Sequence, residues 1–179
     1  MTAEADTPST DDAAPGPTVP PITIGAQYIK DLSFEAPEAP GVFSKMQSEA
    51  PDIQINVDVR ANHLQDNTYE VVLLHNAQCK VGDTTAFILE LTYAGLFSIN
   101  APKENMRPLL LIEGPRLLFP FSRNIIADIS RDGGFPPMML SPLDFVEMYR
   151  RGMAEDAKVS DDGGDDSATE STPDGASTH

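Results

Sequence analysis

The stretch YEVVLLHNAQCKVGDTTAFILELTYAGLF, from Tyr69 to Phe97, decides the fold. It divides at Gly82 and Asp83 into two strand-like runs, Tyr69 to Val81 and Thr84 to Phe97. A Gly-Asp pair suits the tight turn of a β-hairpin, so the two runs are expected to be antiparallel neighbours. Successive side chains of a strand point to opposite faces. Val71 and Leu73 therefore oppose Val72 and Leu74, and Phe87 and Leu89 oppose Ile88. Strands apolar on both faces need two covers, helices on one side and, on the other, a partner subunit as the simplest candidate.

Upstream, IQINVDV sets Ile53, Ile55, Val57 and Val59 on one face, expected to be buried, and Gln54, Asn56 and Asp58 on the other. ITIGAQYIKDLSF, from Ile22, predicts a further strand in which Gly25 marks a bulge. Downstream the period changes. Phe121, Ile125 and Ile129 recur at helical spacing with Ile126 widening the stripe, Pro120 fits a helix start or kink, and Gly133 with Gly134 provides the stop. A last helix is expected from Ser141, with Ser141 as N-cap, Pro142 at the first position and Asp144 at the third. Val146, Tyr149 and Met153 would be its apolar face. Strands first and helices second is the order of an α+β domain, an antiparallel sheet with helices on one face.

The ends differ in character. Residues 1–20 are acidic and Pro-rich, and 155–179 are acidic with Gly, Ser and Thr. Neither buries enough apolar surface to offset its ordering entropy, so both are expected to be disordered tails flanking a domain at 21–154. Of the net charge of −16, the tails hold 12 acidic residues against one basic, which leaves −5 for the domain. No Lys/Arg cluster suits a phosphate backbone, which argues against nucleic acid as a partner. Cys79 is the one cysteine, and the opening MTAEADTPST has neither a basic nor an apolar leader segment. A cytoplasmic protein is expected. LLLIEGPRLLFPF, from Leu109 to Phe121, is interrupted well short of the roughly 18 apolar residues of a membrane span, so no membrane insertion is expected.

Catalytic and cofactor signatures do not emerge. The sequence holds no P-loop, GxGxxG or GxSxG pattern. His75 and Cys79 share a strand face but lie about 13 Å apart at Cα, too far for a nucleophile and its base. His63 is the other histidine of the domain, and no metal-ligand spacing appears there. A binding protein without catalytic residues, cofactor or metal is expected; an enzyme with a site at a subunit interface would have only His63 and His75 as bases.

YIKDLSFEAPEAPGVF, from Tyr28, resembles the N-terminal signature of the SecB family, the tetrameric protein-export chaperones of proteobacteria. YEVVL, TAFILEL, GLFSI, LFPFSRNII and FPPMMLSPLDF follow in the family's order, so the resemblance spans about Gln27 to Met153. It implies a four-stranded antiparallel sheet with two C-terminal helices on one face, assembling as a dimer of dimers. It also implies an ATP-independent holdase that keeps unfolded precursor proteins translocation-competent and delivers them to the ATPase SecA.

The resemblance assigns a SecA-docking site to Asp31, Glu35, Ile88 and Glu90, whose carboxylates would meet a basic, zinc-bearing C-terminal segment of SecA. Met138, Met139, Leu140 and Phe145, with Phe34, Val42 and Phe43, are candidates for a client groove, an ordinary core role being the alternative; Met re-packs around varied partners. Leu89, Leu91 and Tyr93 are candidates for packing and subunit contact, with Ile125 and Ile129 further candidates at the interface. The alternative function is a SecB-like chaperone dedicated to a single partner such as a toxin–antitoxin pair; Asp31, Glu35 and Glu90 favour export.

Overall fold

The computed structural model describes residues 20–162, so most of both expected tails lies outside them. Strands β1 (Ile22–Glu35), β2 (Pro51–Gln65), β3 (Thr68–Val81) and β4 (Thr84–Ile99) form one antiparallel sheet in the order β1-β4-β3-β2. The expected hairpin closes at Gly82, which takes a φ of +57° and pairs Val81 with Thr84. A second hairpin joins β2 to β3 through Asp66, at φ +47°, a value Asp tolerates better than most residues. β1 skips past both hairpins to pair with β4. Its register shifts twice, between Ile24 and Gln27, where Gly25 falls, and between Ile29 and Asp31.

The helical region is longer than the periodicity around Pro120 predicts. α2 (Lys103–Pro108) runs through a π-helical turn (Leu109–Glu113) into α3 (Gly114–Asp132), with Pro120 inside α3. Pro115 has no N–H to return to the carbonyl four residues back, a local reason for the widened turn before it. The buried face of α3 is also rotated from the predicted stripe. Leu118, Ser122, Ile126 and Ser130 are buried, Ile125 and Ile129 are half-buried, and Phe121 stays 51% exposed. Small residues explain the rotation, because they let the helix backbone approach the sheet. A Cβ on Gly114 would stand 3.0 Å from Cγ2 of Val71, and one on Gly95 of β4 only 2.7 Å from Cδ2 of Leu118.

α4 (Phe145–Asp162) begins later than Ser141. Asp144 is its cap, its Oδ1 accepting the backbone N–H groups of Val146 and Glu147 at 3.0 and 3.1 Å. Asp144 and Glu147 have capping-box spacing themselves, a competing signal to Ser141 and Asp144. The helix also passes the expected boundary at 154, through good helix formers such as Ala154 and Glu155.

The core lies between the sheet and the helices. Leu73, Leu89, Leu91 and Phe97 are fully buried there, each worth about 1.5–3 kcal/mol by the apolar area it removes from water. Leu89, Leu91 and Tyr93 are buried on this side of the sheet within the chain, which fits the packing half of their reading. The expectation of a buried β2 face is corrected. Val57, Val59 and Ala61 are half-buried, whereas Ile53 and Ile55 are each 43% exposed, because β2 is an edge strand only partly reached by the helices.

Candidate interaction site

The face of the sheet turned away from the helices is left uncovered by the described residues, and the strand registers fix its layout. One row across the sheet reads Glu35, Ile88, Gln78, Gln54; the next Ser33, Glu90, Asn76, Asn56; the third Asp31, Thr92, Leu74, Asp58. Asp31, Glu35, Ile88 and Glu90, far apart in sequence, thus occupy neighbouring positions on β1 and β4. The three carboxylates are exposed, Ile88 is half-buried, and these rows contain no cation. Beside Ile88 and Glu90 a shallow hollow of about 470 Å³ continues over the amides of Gln54, Asn56, Asn76 and Gln78.

Further along the same face stands a residue that the sequence reading missed. Glu70, 7% exposed, accepts the Tyr28 hydroxyl at 2.5 Å, Lys30 Nζ at 3.0 Å on each carboxylate oxygen, and Asn62 Nδ2 at 3.2 Å. The Tyr28 hydrogen bond, and then Lys30 and Asn62, hold the Glu70 carboxyl below its ordinary value although burial pulls the other way. The same bond pushes Tyr28 up to about 12. The available signal was Glu70 as the one acidic residue in the apolar run from Tyr69 to Ala77.

The opposite side carries the client-groove candidates. Phe34, Phe43, Phe87 and Phe135 form an aromatic cluster, with centroids 5.4 Å apart for Phe34–Phe87, 4.9 Å for Phe87–Phe135 and 5.1 Å for Phe43–Phe135. Phe34 and Phe43 are half-buried and Met139 is 63% exposed. Val42, Met138, Leu140 and Phe145 are core residues in this conformation, at most 5% exposed, because the segment after Gly134 folds back onto the sheet and helices. Ser130 anchors that segment, its Oγ accepting the Met138 N–H at 2.8 Å. A groove of about 420 Å³ runs between this segment and β2, lined by Ile55, Val57, Met139, Leu143 and Met148 among others.

His75 and Cys79 are both 1% exposed in the core. Ser122 donates to the Phe119 carbonyl at 3.1 Å, which leaves its oxygen to accept from His75 Nε2 at 3.0 Å. Burial lowers the His75 pKa to about 4, so the ring is neutral at pH 7. Both residues are structural.

The profile of the family described as "Preprotein translocase subunit SecB" matches residues 16–156. The chain belongs to the SecB family. It is 53% identical over 146 residues to the protein-export protein SecB of Paramagnetospirillum magneticum, covering 82% of this chain and 94% of that protein. The SecB of Rhodospirillum rubrum is 48% identical over 142 residues, covering 79% and 88%. Among solved structures, a SecB-like chaperone of Mycobacterium tuberculosis, in complex with a peptide from an antitoxin, superposes with a TM-score of 0.58 at 13% identity, over 68% of this chain and 90% of that one. That likeness bears on the fold alone, and it agrees with a SecB-like sheet and helices. Among the described residues no helix is long and apolar enough to cross a membrane.

Proposed function

We propose that this SecB-family chain is an ATP-independent export chaperone, which holds unfolded precursors and docks on SecA through the open face of its sheet. The observation that carries the docking site is the gathering of Asp31, Glu35, Ile88 and Glu90 from two strands into adjacent rows without a cation among them. Exposed carboxylates around a half-buried Ile88 suit a basic segment that also brings an apolar contact. Complementary charge of this kind mainly raises the association rate and makes it salt-sensitive.

Client holding belongs to the other side. A holdase needs apolar surface that adapts to many sequences. The groove along exposed Ile55 and Met139 offers it, with half-buried Phe34 and Phe43 of the aromatic cluster adding to it and with Val42, Met138, Leu140 and Phe145 as supporting core. Binding only the unfolded client lowers its free concentration by mass action, with no need for ATP. Assembly as a dimer of dimers would use Leu117, Phe121 and Ile125, which recur every four residues on the outer face of α3, together with Ile129.

Placing the two activities on different faces makes them separable. Asp31→Lys with Glu90→Lys should abolish SecA binding in a titration while an unfolded precursor is still held and the mass by light scattering is unchanged. Undiminished SecA affinity would remove the docking site. Failure to hold any precursor, with retention of one toxin–antitoxin client, would replace export by a dedicated role.

A further inference from the structure

We infer that Glu70 is a positioning residue for the docking face, holding the Lys30 ammonium away from Asp31 so that this carboxylate stays open to a basic partner. The inference rests on the docking reading above and extends it to residues outside the four already assigned.

The register shift between Ile29 and Asp31 places Lys30 as the extra residue of a bulge opposite β4. In a bulge two residues oppose one, so the alternation of side chains is interrupted there. Asp31 pairs with Thr92 on the open face, and Lys30 also reaches over that face, to Glu70 on β3. A cation and a carboxylate adjacent in sequence thus share one side of the sheet. Left to itself, such a pair would close and cancel the charge that a basic partner reads. It does not close here. Lys30 reaches across β4 and is held by both oxygens of Glu70, while Asp31 makes no hydrogen bond or ion pair among the described residues. The competition favours Glu70, whose side chain is 9% exposed and fixed by Tyr28 and Asn62. A pre-ordered, partly desolvated carboxylate binds an ammonium better than an exposed one.

Neutralising Glu70 should therefore release Lys30 onto Asp31. Glu70→Gln is expected to weaken SecA binding about two- to fivefold at low salt, the upper range of one added competing ion pair, and less at high salt. Adding Lys30→Gln to that variant should restore affinity to within about twofold, although it repairs nothing in the fold. A purely structural role for Glu70 predicts the reverse, with the double variant as weak as the single. Native-like affinity of Glu70→Gln, or no rescue, would overturn the inference.

A readout without SecA separates this inference from the docking reading. A crystal structure of Glu70→Gln should show Lys30 Nζ within ion-pair distance of the Asp31 carboxylate. Lys30 still turned away from Asp31 overturns the inference whatever SecA does; a closed Lys30–Asp31 pair with SecA affinity unaffected by Asp31→Lys overturns the docking reading instead. Should Glu70→Gln not fold, Lys30→Gln alone decides. It should leave SecA affinity unchanged or tighter, and a loss would overturn the inference.

Discussion

Lowering the pH from 7.5 to 5.5 should destabilise the fold by about 1.4 kcal/mol through His75 alone. The ring lies 6.4 Å from Phe119 between centroids, its Nε2 donates to Ser122, and its Nδ1 is buried without a partner among the described residues. Desolvation holds its pKa down to about 4 against an ordinary 6.5. Unfolding returns the ring to water, so between about pH 6.5 and 4 the unfolded state binds more protons than the folded one. Stability then falls as pH falls through that window, is untouched above it, and levels off below it. At pH 5.5 the loss corresponds to about a tenfold shift in the folding equilibrium. That pH also stays clear of the isoelectric point near 4.3, where net charge no longer opposes association. The assay is urea unfolding of the wild type and of His75→Gln at both pH values, at one protein concentration because the proposed assembly would couple stability to concentration. Gln keeps a neutral donor near Ser122 but does not titrate, and the carboxylates contribute equally to both proteins. The wild type should lose about 1.4 kcal/mol more than the variant, and parallel losses would refute the neutral, desolvated ring.

Gly95→Val should cost about 1–3 kcal/mol and lower the denaturation midpoint, because its Cβ would meet Leu118 of α3. Ser130→Ala should cost about 1–3 kcal/mol by leaving the buried Met138 N–H without an acceptor, and amide exchange at Met138 should quicken more than exchange in β3.

Alternation alone located β3 and β4, because both strands are central and packing on the helix side enforces their periodicity. It failed on β2 for the complementary reason. Ile53 and Ile55 carry the pattern of a buried face, yet an edge strand is covered only as far as the helices reach, and a single sequence does not reveal that reach. The phase of α3 was misread because hydrophobicity weights Phe121 and ignores Gly114, Ser122 and Ser130, whose small size admits the close approach. The α4 start was misread because Asp144 satisfies two capping frames and only geometry chooses between them. The four proposed docking positions are legible only through family resemblance, and strand register adds their adjacency. Lys30 and Glu70 stayed hidden, since a bulge breaks the rule that assigns faces and their pairing crosses an intervening strand.

The placing of β1 beside β4 bears on when recognition becomes possible. β4 is the last strand to leave the ribosome, and β1 must wait for it while β2 and β3 can already pair as a hairpin. The apolar residues of a half-made chain can adhere to other proteins at any stage. The acidic rows, by contrast, straddle the β1–β4 seam and exist only once that closure is complete. A partner that reads those rows would therefore read the finished state of the chaperone, and an incompletely folded copy, however adhesive, lacks the completed acidic face through which to be mistaken for a loaded carrier.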